Sequence, residues 1–324
     1  TAEIYMQNFS TSLPFDVQVE MVRSLPGCEN ARFLRPGYAI EYDFMPPTQL
    51  YPSLETRLVG GLFCAGQING TSGYEEAAAQ GILAGINAAR KLLGQEPVVL
   101  GRGEAYMGVL VDDLVTKGTQ EPYRMFTSRC EHRLIMRHDN ADRRLSPLGR
   151  ELGLVDDARW KALQDRWEAL DAERTRLGGL RVFPTAENNA RLAAAGTVPL
   201  EEPVPAAELL KRPEVDWNLL QALLDEPSPM TAGETATLAT EIKYAGYIER
   251  EVRSVERLGR MEKVKVPEGL DYGAVTGLSA ESRAKLSQAR PLTLGQASRI
   301  SGVTPADVQI LWVAVKACHG KAAG

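Results

Sequence analysis

The sequence lacks any apolar run long enough to cross a lipid bilayer. Its longest apolar stretches, such as residues 60–65 and 310–317, end well before the roughly 20 residues that a membrane-spanning helix needs. The chain also lacks a basic segment followed by an apolar one near its start, which is the pattern of a secretory signal. The sequence therefore predicts no membrane span and a cytoplasmic location.

Cysteine is scarce, and its spacing excludes the usual cysteine-based sites. The chain has four cysteines, Cys28, Cys64, Cys130 and Cys318. None of them belongs to a Cys-x-x-Cys pair or has a histidine at ligand spacing, so we predict reduced thiols and no metal site. An excess of positive charge is also missing, because the formal net charge is -5. Any affinity for nucleic acid must therefore come from local clusters of basic residues.

The chain has 324 residues, enough for two or three domains, and residues 1–98 have the pattern of an α/β protein. Apolar side chains alternate from Tyr38 to Phe44, which predicts a strand with one buried face. Residues 58–65 are continuously apolar, which predicts a strand covered on both faces. Residues 74–93 are rich in Ala, Leu and Ile and end at Gly94, so we predict a helix there.

The pattern changes near residues 95–103, beyond which helical periods replace strand signals. We predict a helical domain over 99–240 and a C-terminal helical subdomain over 241–324. Apolar residues recur at three- and four-residue steps over 160–177 and predict one long amphipathic helix that ends at Gly178. Thr293 and Thr304 each start a helix-capping pattern. The predicted fold class is therefore α/β followed by all-α.

A glycine-dotted segment between the second predicted strand and the helix suggests an anion site. Gly66, Gly70 and Gly73 would bring several backbone amides and the positive end of the helix to one point. The segment matches neither the P-loop nor the G-x-G-x-x-G dinucleotide pattern. From the residues alone, a tightly packed strand-turn-helix unit without any ligand is an equally good interpretation.

The string AGQINGTSGYEEAAAQG at residues 65–81 resembles the signature of a known family. This family is the FAD-binding subunit of the bacterial tRNA uridine 5-carboxymethylaminomethyl modification enzyme, also called glucose-inhibited division protein A. Further similar strings are STSLPFDVQ at 10–18, RPGYAIEYDF at 35–44, GVLVDDL at 108–114, EPYRMFTSR at 121–129, DNADRRL at 139–145, YAGYIER at 244–250 and RISGVTPADV at 299–308. The resemblance thus covers practically the whole chain.

The resemblance implies a flavoprotein of the glutathione-reductase-like type, of which residues 1–98 would be the C-terminal part of the FAD-binding domain. It places seven residues nearest the FAD: Gly66, Gln67, Asn69, Gly70, Thr71, Gly73 and Tyr74. Amides at the helix start would favour negative charge on the ring. The family's first glycine-rich loop, its NADH-binding region and its two reactive cysteines are not in this sequence. We therefore expect a piece of a longer protein, assign no catalytic residue and expect this chain alone to be inactive.

Residues 121–150 hold seven arginines against four acids, a local net charge of +3. If Ser128 caps a helix, Arg129, Arg133 and Arg137 lie on one face and can each bind phosphate with two hydrogen bonds. The residues alone favour a solvated helix face whose arginines pair with nearby aspartates, but the family's tRNA substrate reverses that preference. The predicted tRNA-binding residues are Arg124, Arg129, Arg133, Arg137, Arg143 and Arg144.

The family resemblance also implies a GTPase partner, which we assign to Tyr244, Gly246, Tyr247 and Arg250. Gly246 suggests either the close approach of another helix or a local kink. The complete enzyme would be a homodimer that uses FAD, NADH and methylenetetrahydrofolate, with glycine or ammonium, to modify the wobble uridine at C5. One alternative is a non-catalytic scaffold that binds tRNA and the partner. A helix-turn-helix DNA-binding protein is the least favoured, because the would-be recognition helix from Pro305 is mostly apolar.

Overall fold

The computed structural model describes residues 3–9, 11–38, 40–225 and 228–322. The chain divides into two units, Thr1–Phe44 and Met45–Gly324. Among the described residues, the structure is mostly helical with one small sheet. None of the helices in these ranges combines the length and apolarity that a bilayer crossing requires.

The first unit contains helix α1, Phe15–Arg23. Gln18 is buried on this helix and holds Gly37, since its Oε1 accepts from the Gly37 amide at 2.7 Å and its Nε2 donates to the Gly37 carbonyl at 3.0 Å. The strand predicted over 38–44 is wrong for the described residues of that segment. Tyr38 is 77% exposed, and no ladder of backbone hydrogen bonds forms there. Alternation alone does not make a strand when no neighbouring backbone pairs with it.

The strand predicted over 58–65 is also wrong, because the chain reverses at Gly60 and Gly61. Gly61 has φ +83°, and the amide of Thr56 donates to the carbonyl of Leu62 at 2.8 Å. The only pairing recorded for the segment is an isolated bridge between Glu55 and Phe63. The described part of residues 1–98 therefore forms no sheet, and the predicted α/β character does not appear there as strands.

Helix α2, Tyr74–Leu92, confirms the predicted helix and packs against α3, Tyr106–Lys117. Helix α3 is buried over most of its length, which fits its apolar sequence. Leu50, Leu54, Leu83 and Val111 contribute to the core between α2, α3 and the segment before them. This core fixes the start of α2, where the candidate site lies.

Six helices follow, and all but the first contribute to a leucine-rich core. They are α4, Ala141–Glu151; α5, Asp157–Gly179; α6, Ala186–Ala194; α7, Ala206–Leu209; α8, Trp217–Leu224; and α9, Ala232–Lys243. Helix α5 confirms the predicted long amphipathic helix and is capped by Asp156, which accepts from the Arg159 amide at 2.7 Å. A two-stranded antiparallel sheet of β1, Arg181–Val182, and β2, Val204–Pro205, lies in a region where no strand was predicted.

The C-terminal helices are α10, Ala245–Glu262; α11, Ala280–Ala289; α12, Leu294–Arg299; and α13, Pro305–Ala322. Both predicted caps form. Thr293 accepts from the Gln296 amide at 3.0 Å, and Thr304 accepts from the Asp307 amide at 3.2 Å. Helix α12 packs against α10, α13 and α3, which connects these C-terminal helices with the core around α3.

Candidate functional site

The site begins as a tight turn before α2. Residues Gly66–Asn69 form a single 3₁₀ turn, and Gly66 and Gly70 have φ +84° and +82°. These left-handed values favour glycine over residues with a Cβ. The turn therefore explains two of the glycines in the segment without reference to any ligand.

Gln80 holds the turn together from within α2. It is fully buried, and its Oε1 accepts from the Gly66 amide at 3.2 Å and from Asn69 Nδ2 at 2.8 Å. Its Nε2 donates to Thr71 Oγ1 at 2.9 Å and to the Glu76 carbonyl at 3.1 Å. Sequence reasoning missed Gln80, although a polar residue on the buried side of an Ala-rich helix is a readable signal.

The start of α2 presents backbone amides without a side-chain cap. Gly73 is the N-cap residue and makes no side-chain capping bond. The first amides of a helix have no partner within the helix, so they can donate to an electron-rich group. A Cβ at position 73 would overlap the carboxylate of Glu76, which shows how closely the chain is packed at this point.

Glu76 connects the helix start to a neighbouring segment. Its Oε1 accepts from the Met125 amide at 2.7 Å and lies 3.4 Å from Arg124 Nε. Burial alone would raise the pKa of this carboxyl, but the Met125 hydrogen bond and the Arg124 charge lower it below its usual value. An ionised Glu76 lies within the first turn of α2, where it offsets part of the positive helix end.

Tyr123 pairs with the turn through one isolated parallel β-bridge, to Thr71. Its amide donates to the Gly70 carbonyl at 2.8 Å, and the Ser72 amide donates to the Tyr123 carbonyl at 3.2 Å. Its side chain is buried and donates to Asp113 Oδ2 at 2.9 Å, and burial together with that carboxylate raises the pKa of the phenol. Residues 121–126 thus form a second wall of the site.

The structure brings the seven predicted FAD residues together at this turn but exposes them unequally. Tyr74 is 93% exposed and Gln67 is exposed, whereas Asn69 and Thr71 are buried in the Gln80 network. The Asn69 Oδ1 atom is buried and has no partner among the described residues, so it is free to accept a hydrogen bond. Uncapped amides and this acceptor fit the edge of a flavin ring, which presents both acceptors and a donor.

Cys64 precedes the turn and does not have the properties of a reactive thiol. It is buried, and burial raises the pKa of its thiol. A raised pKa lowers the fraction of thiolate, the nucleophilic form.

The helix predicted to carry Arg129, Arg133 and Arg137 on one face is wrong. Residues Thr127–Arg129 form a 3₁₀ turn, residues 130–140 are irregular, and the next helix begins at Ala141. Ser128 caps no helix here. The local charge is arranged along a loop, and its arginines divide into two groups with different environments.

Three arginines are exposed in this region, and two of them, Arg124 and Arg129, lie beside the candidate site. Arg129 lies over the Tyr123 ring at 4.3 Å and donates to the Arg124 carbonyl at 2.8 Å. Arg124 is half exposed next to Glu76. Arg133 is exposed and makes no hydrogen bond or ion pair with any residue that the structure describes. These three side chains are available to an external anion.

The other three arginines already have internal partners. Arg137 is mostly buried and pairs with Asp139 at 3.0 Å, Arg143 pairs with Asp171 at 2.6 Å, and Arg144 donates to Asn140 Oδ1 at 3.0 Å. They line a cleft of about 500 Å³. Arg174 and Lys211 also line it, together with Glu208, Glu241 and Glu249. The interpretation of paired arginines, which the residues alone favoured, thus describes this second group.

The predicted partner residues lie where α9 gives way to α10. Tyr244 and Tyr247 are exposed with ring centroids 6.4 Å apart, and Arg250 lies 4.7 Å above the Tyr247 ring. A Cβ at Gly246 would meet nothing within 4 Å, so among the described residues no helix approaches it closely. The break between the helices at Tyr244 agrees with the local kink, the other alternative for Gly246.

A buried ionic network behind Tyr123 was not predicted. Arg102 donates to Asp113 at 2.7 Å and to Asp112 at 3.1 Å, and Arg299 donates to both oxygens of Asp112 at 2.7 Å. Two adjacent aspartates inside the apolar run of α3 were a signal for it, because buried carboxylates need cationic partners.

Comparison with known proteins places these features in a family. Residues 1–96 match the family model for glucose inhibited division protein A. Residues 157–252 and 254–323 match models for the C-terminal helical domain and the C-terminal helical bundle of the tRNA modifying enzyme MnmG/GidA. Together these matches cover most of the chain.

Individual relatives agree with these models. The chain is 52% identical over 316 residues to the tRNA uridine 5-carboxymethylaminomethyl modification enzyme MnmG of Listeria monocytogenes serotype 4b, and 50% identical over 313 residues to that of Bacillus subtilis. These alignments cover 98% and 97% of this chain but 50% of each relative, so the chain spans about half their length. The structure of Aquifex aeolicus GidA in its form II crystal superposes with a TM-score of 0.78 at 44% identity, covering 94% of this chain and 48% of that one.

The class defined by these matches is that of tRNA-modifying enzymes, and this chain corresponds to the C-terminal half of such a protein. It belongs to the MnmG/GidA family.

Proposed function

We propose that this chain is the C-terminal half of an FAD-dependent enzyme that adds the carboxymethylaminomethyl group to C5 of the wobble uridine in tRNA. The observation that carries the proposal is the 52% identity over 98% of the chain to relatives named for that modification. The proposal includes a GTPase partner subunit, a homodimer, NADH and methylenetetrahydrofolate as co-substrates, and a cytoplasmic location, all inferred from the family.

Within this chain, the turn at 66–73 and the start of α2 would hold the flavin in a glutathione-reductase-like arrangement. The amides of the first helical turn would bind the electron-rich edge of the ring, and Asn69 Oδ1 would accept a hydrogen bond from it. Exposed Gln67 and Tyr74 would cover the ring from the open side. Bound FAD would supply hydride-transfer chemistry, which no side chain provides.

The tRNA would bind along the exposed arginines beside this turn. Arg124 lies on the segment that pairs with the turn through Tyr123, and Arg129 lies over the Tyr123 ring, so a phosphate bound by these two would be close to the flavin site. Arg133 follows them along the same loop. Arginine suits this role because its planar group binds phosphate with two hydrogen bonds. We infer that Arg137, Arg143 and Arg144 support the fold of this region, since acidic or backbone groups already occupy them.

The flavin site is tested by Gly73→Ala in the protein at the length of its relatives. The new Cβ would displace Glu76 and shift the start of α2, so we expect at least a tenfold loss of flavin affinity, measured by visible absorbance after dialysis. Gly81→Ala on the same helix is the matched control, because its Cβ would meet nothing within 4 Å in this structure. Equal flavin retention in both variants would remove the turn from the cofactor site.

The tRNA surface is tested by Arg133→Ala. We expect binding to tRNA to weaken and the slope of log affinity against log salt to fall by about one, as for the loss of one phosphate contact. Arg159→Ala is the control, because this arginine is also exposed but lies on α5. If both variants bind tRNA with the same salt slope as the unaltered protein, Arg133 is a solvated residue and not part of the tRNA surface.

A further inference from the structure

A continuous set of buried and partly buried polar contacts connects the C-terminal helices with the turn at 66–73. We call it the Arg299 network and define it by Tyr123, Asp113, Arg102, Asp112, Arg299 and Glu262. All six residues belong to the unit Met45–Gly324. The network begins at Tyr123, whose backbone holds Gly70 and Ser72 and whose hydroxyl donates to Asp113.

The middle of the network is a pair of adjacent carboxylates on α3. Asp112 and Asp113 are both buried, and Arg102 is the cation that bridges them. Lys117 adds a second contact to Asp113 at 2.7 Å. Burial alone would raise the pKa of the Asp113 carboxyl, but Lys117 and Arg102 lower it below its usual value. The carboxylate that accepts the hydrogen bond of the Tyr123 hydroxyl is therefore ionised.

The far end of the network comes from the C-terminal helices. Arg299 lies at the end of α12, and its Nε and Nη2 each donate to Asp112 at 2.7 Å. Its remaining nitrogen donates to Glu262 at the end of α10, and Glu262 also accepts from Thr293 Oγ1 at 2.6 Å. A Cβ at Gly295 would overlap the Glu262 carboxylate, so a larger residue there would displace Glu262 from this position.

Arg299 is the main cationic partner of Asp112, because it donates a hydrogen bond to each oxygen of that carboxylate. Without it, Asp112 would keep one longer contact to Arg102, and Arg102 already serves Asp113 and Glu131. Arg102 would then shift toward the less neutralised carboxylate. Such a shift would take a cation away from Asp113, which accepts the hydrogen bond of the Tyr123 hydroxyl, and the Tyr123 backbone holds the turn.

We propose that Arg299 is a positioning residue that acts through Asp112, Arg102, Asp113 and Tyr123 to order the turn at 66–73. A movement of α10 or α12, for example on binding of a partner to the C-terminal helices, would thereby change the order of the turn. Any effect of this coupling on flavin chemistry rests on the proposed function. The effect of Arg299 on the order of the turn is independent of that function.

Hydrogen–deuterium exchange of this chain, read by mass spectrometry, tests the proposal. Arg299→Ala is expected to raise exchange about tenfold in peptides covering 66–74 and 121–126, while peptides from 186–224 stay unchanged. Tyr123→Phe, which removes only the hydroxyl, is expected to raise exchange in the same two segments. Because both variants break one network, the double variant should exchange no faster than the more affected single variant. Arg253→Ala, an exposed arginine on α10, is the control and should change neither segment.

Three results would overturn the proposal. The first is unchanged exchange at 66–74 in Arg299→Ala, with a rise confined to residues near 262 and 299. The second is a double variant whose increases simply add, because independent effects are additive. If Arg299→Ala does not fold, Arg299→Lys takes its place in the experiment. The third result is then unchanged hydrogen–deuterium exchange at 66–74 in Arg299→Lys. Flavin is absent from all these measurements, so a failure of the flavin assignment would leave their outcome intact.

Discussion

At the scale of single residues, Gln80 shows how a buried amide can determine the shape of a turn. All of its hydrogen-bonding atoms are used, and its partners lie on both sides of the glycine segment. Buried polar groups are tolerated when they are hydrogen-bonded, and each group left without a partner costs free energy. Gln80 is therefore more important for the site than its position in the middle of a helix suggests.

We predict that Gln80→Leu lowers the free energy of unfolding by about 2–3 kcal/mol, because the Gly66 amide and Thr71 hydroxyl lose buried partners. Urea unfolding followed by circular dichroism measures this change. Gln95→Ala, at an exposed position after α2, should change stability by less than about 0.5 kcal/mol. A loss for Gln80→Leu no larger than that of the control would show that the network contributes little.

The sequence predicted which segment forms the candidate site but not how its residues are held. Gly66 and Gly70 indicated a turn because a left-handed backbone favours glycine at those positions. Gln80 and Glu76 act through contacts with residues 14 and 49 positions away, and no local pattern encodes such distances. Whether the seven residues of the turn contact FAD stays a prediction.

At the scale of elements, helices were predicted well and strands were not. A helix makes its hydrogen bonds within itself, so the predicted α2 and α5 agree with the structure to within a few residues. A strand depends on a partner elsewhere in the chain; among the described residues the apolar pattern at 38–44 has none, and that at 58–65 has a single isolated bridge, between Phe63 and Glu55. The helix predicted to carry the arginines of 129–137 on one face does not form for a related reason, because ionic contacts and turns replace it there.

The cap of α13 gives a prediction at this scale. Asp307 accepts hydrogen bonds from the Ser279 amide at 3.0 Å, from Thr304 Oγ1 at 2.5 Å and from Ser282 Oγ at 2.8 Å. These bonds hold the pKa of its carboxyl well below its usual range. A carboxyl with a lowered folded-state pKa stabilises the fold fully above its unfolded pKa of about 3.9, and that stability is lost as pH falls through the folded pKa.

We therefore expect Asp307→Asn to be less stable than the unaltered chain at pH 7, with a smaller difference at pH 3. Urea unfolding at the two pH values, followed by the fluorescence of Trp312 in a variant without the other three tryptophans, provides the measurement. Asp271→Asn, at an exposed carboxylate in the same subdomain, is the control and is measured at the same two pH values. A difference that is constant from pH 7 to pH 3 would contradict the role of the Asp307 charge.

At the scale of the whole molecule, the chain combines an acidic total charge with localised basic surfaces. The net charge of -5 disfavours general binding to nucleic acid, whereas Arg124 and Arg129 bring positive charge beside the candidate site. Inside the fold, the Arg299 network pairs opposite charges that lie far apart in the sequence. Sequence patterns predicted the exposed cluster but not the buried network, because Asp112 and Arg299 are 187 residues apart.

The division into two units leads to a prediction about proteolysis. In the first unit, Arg32 is exposed, lies outside any helix or strand and makes no ion pair with the residues that the structure describes, whereas Gly37 is held by Gln18. Proteases cut segments that open without unfolding a core, so we expect trypsin at low concentration to cleave first after Arg32. Mass spectrometry should then detect a fragment of residues 33–324 before any smaller product, with its helical circular dichroism largely retained. Arg32→Gln should delay this cleavage, whereas Arg159→Gln, on α5, should not. Early cleavage within α5 or α9 instead would show that the helical part of the second unit opens more readily than the segment before Met45.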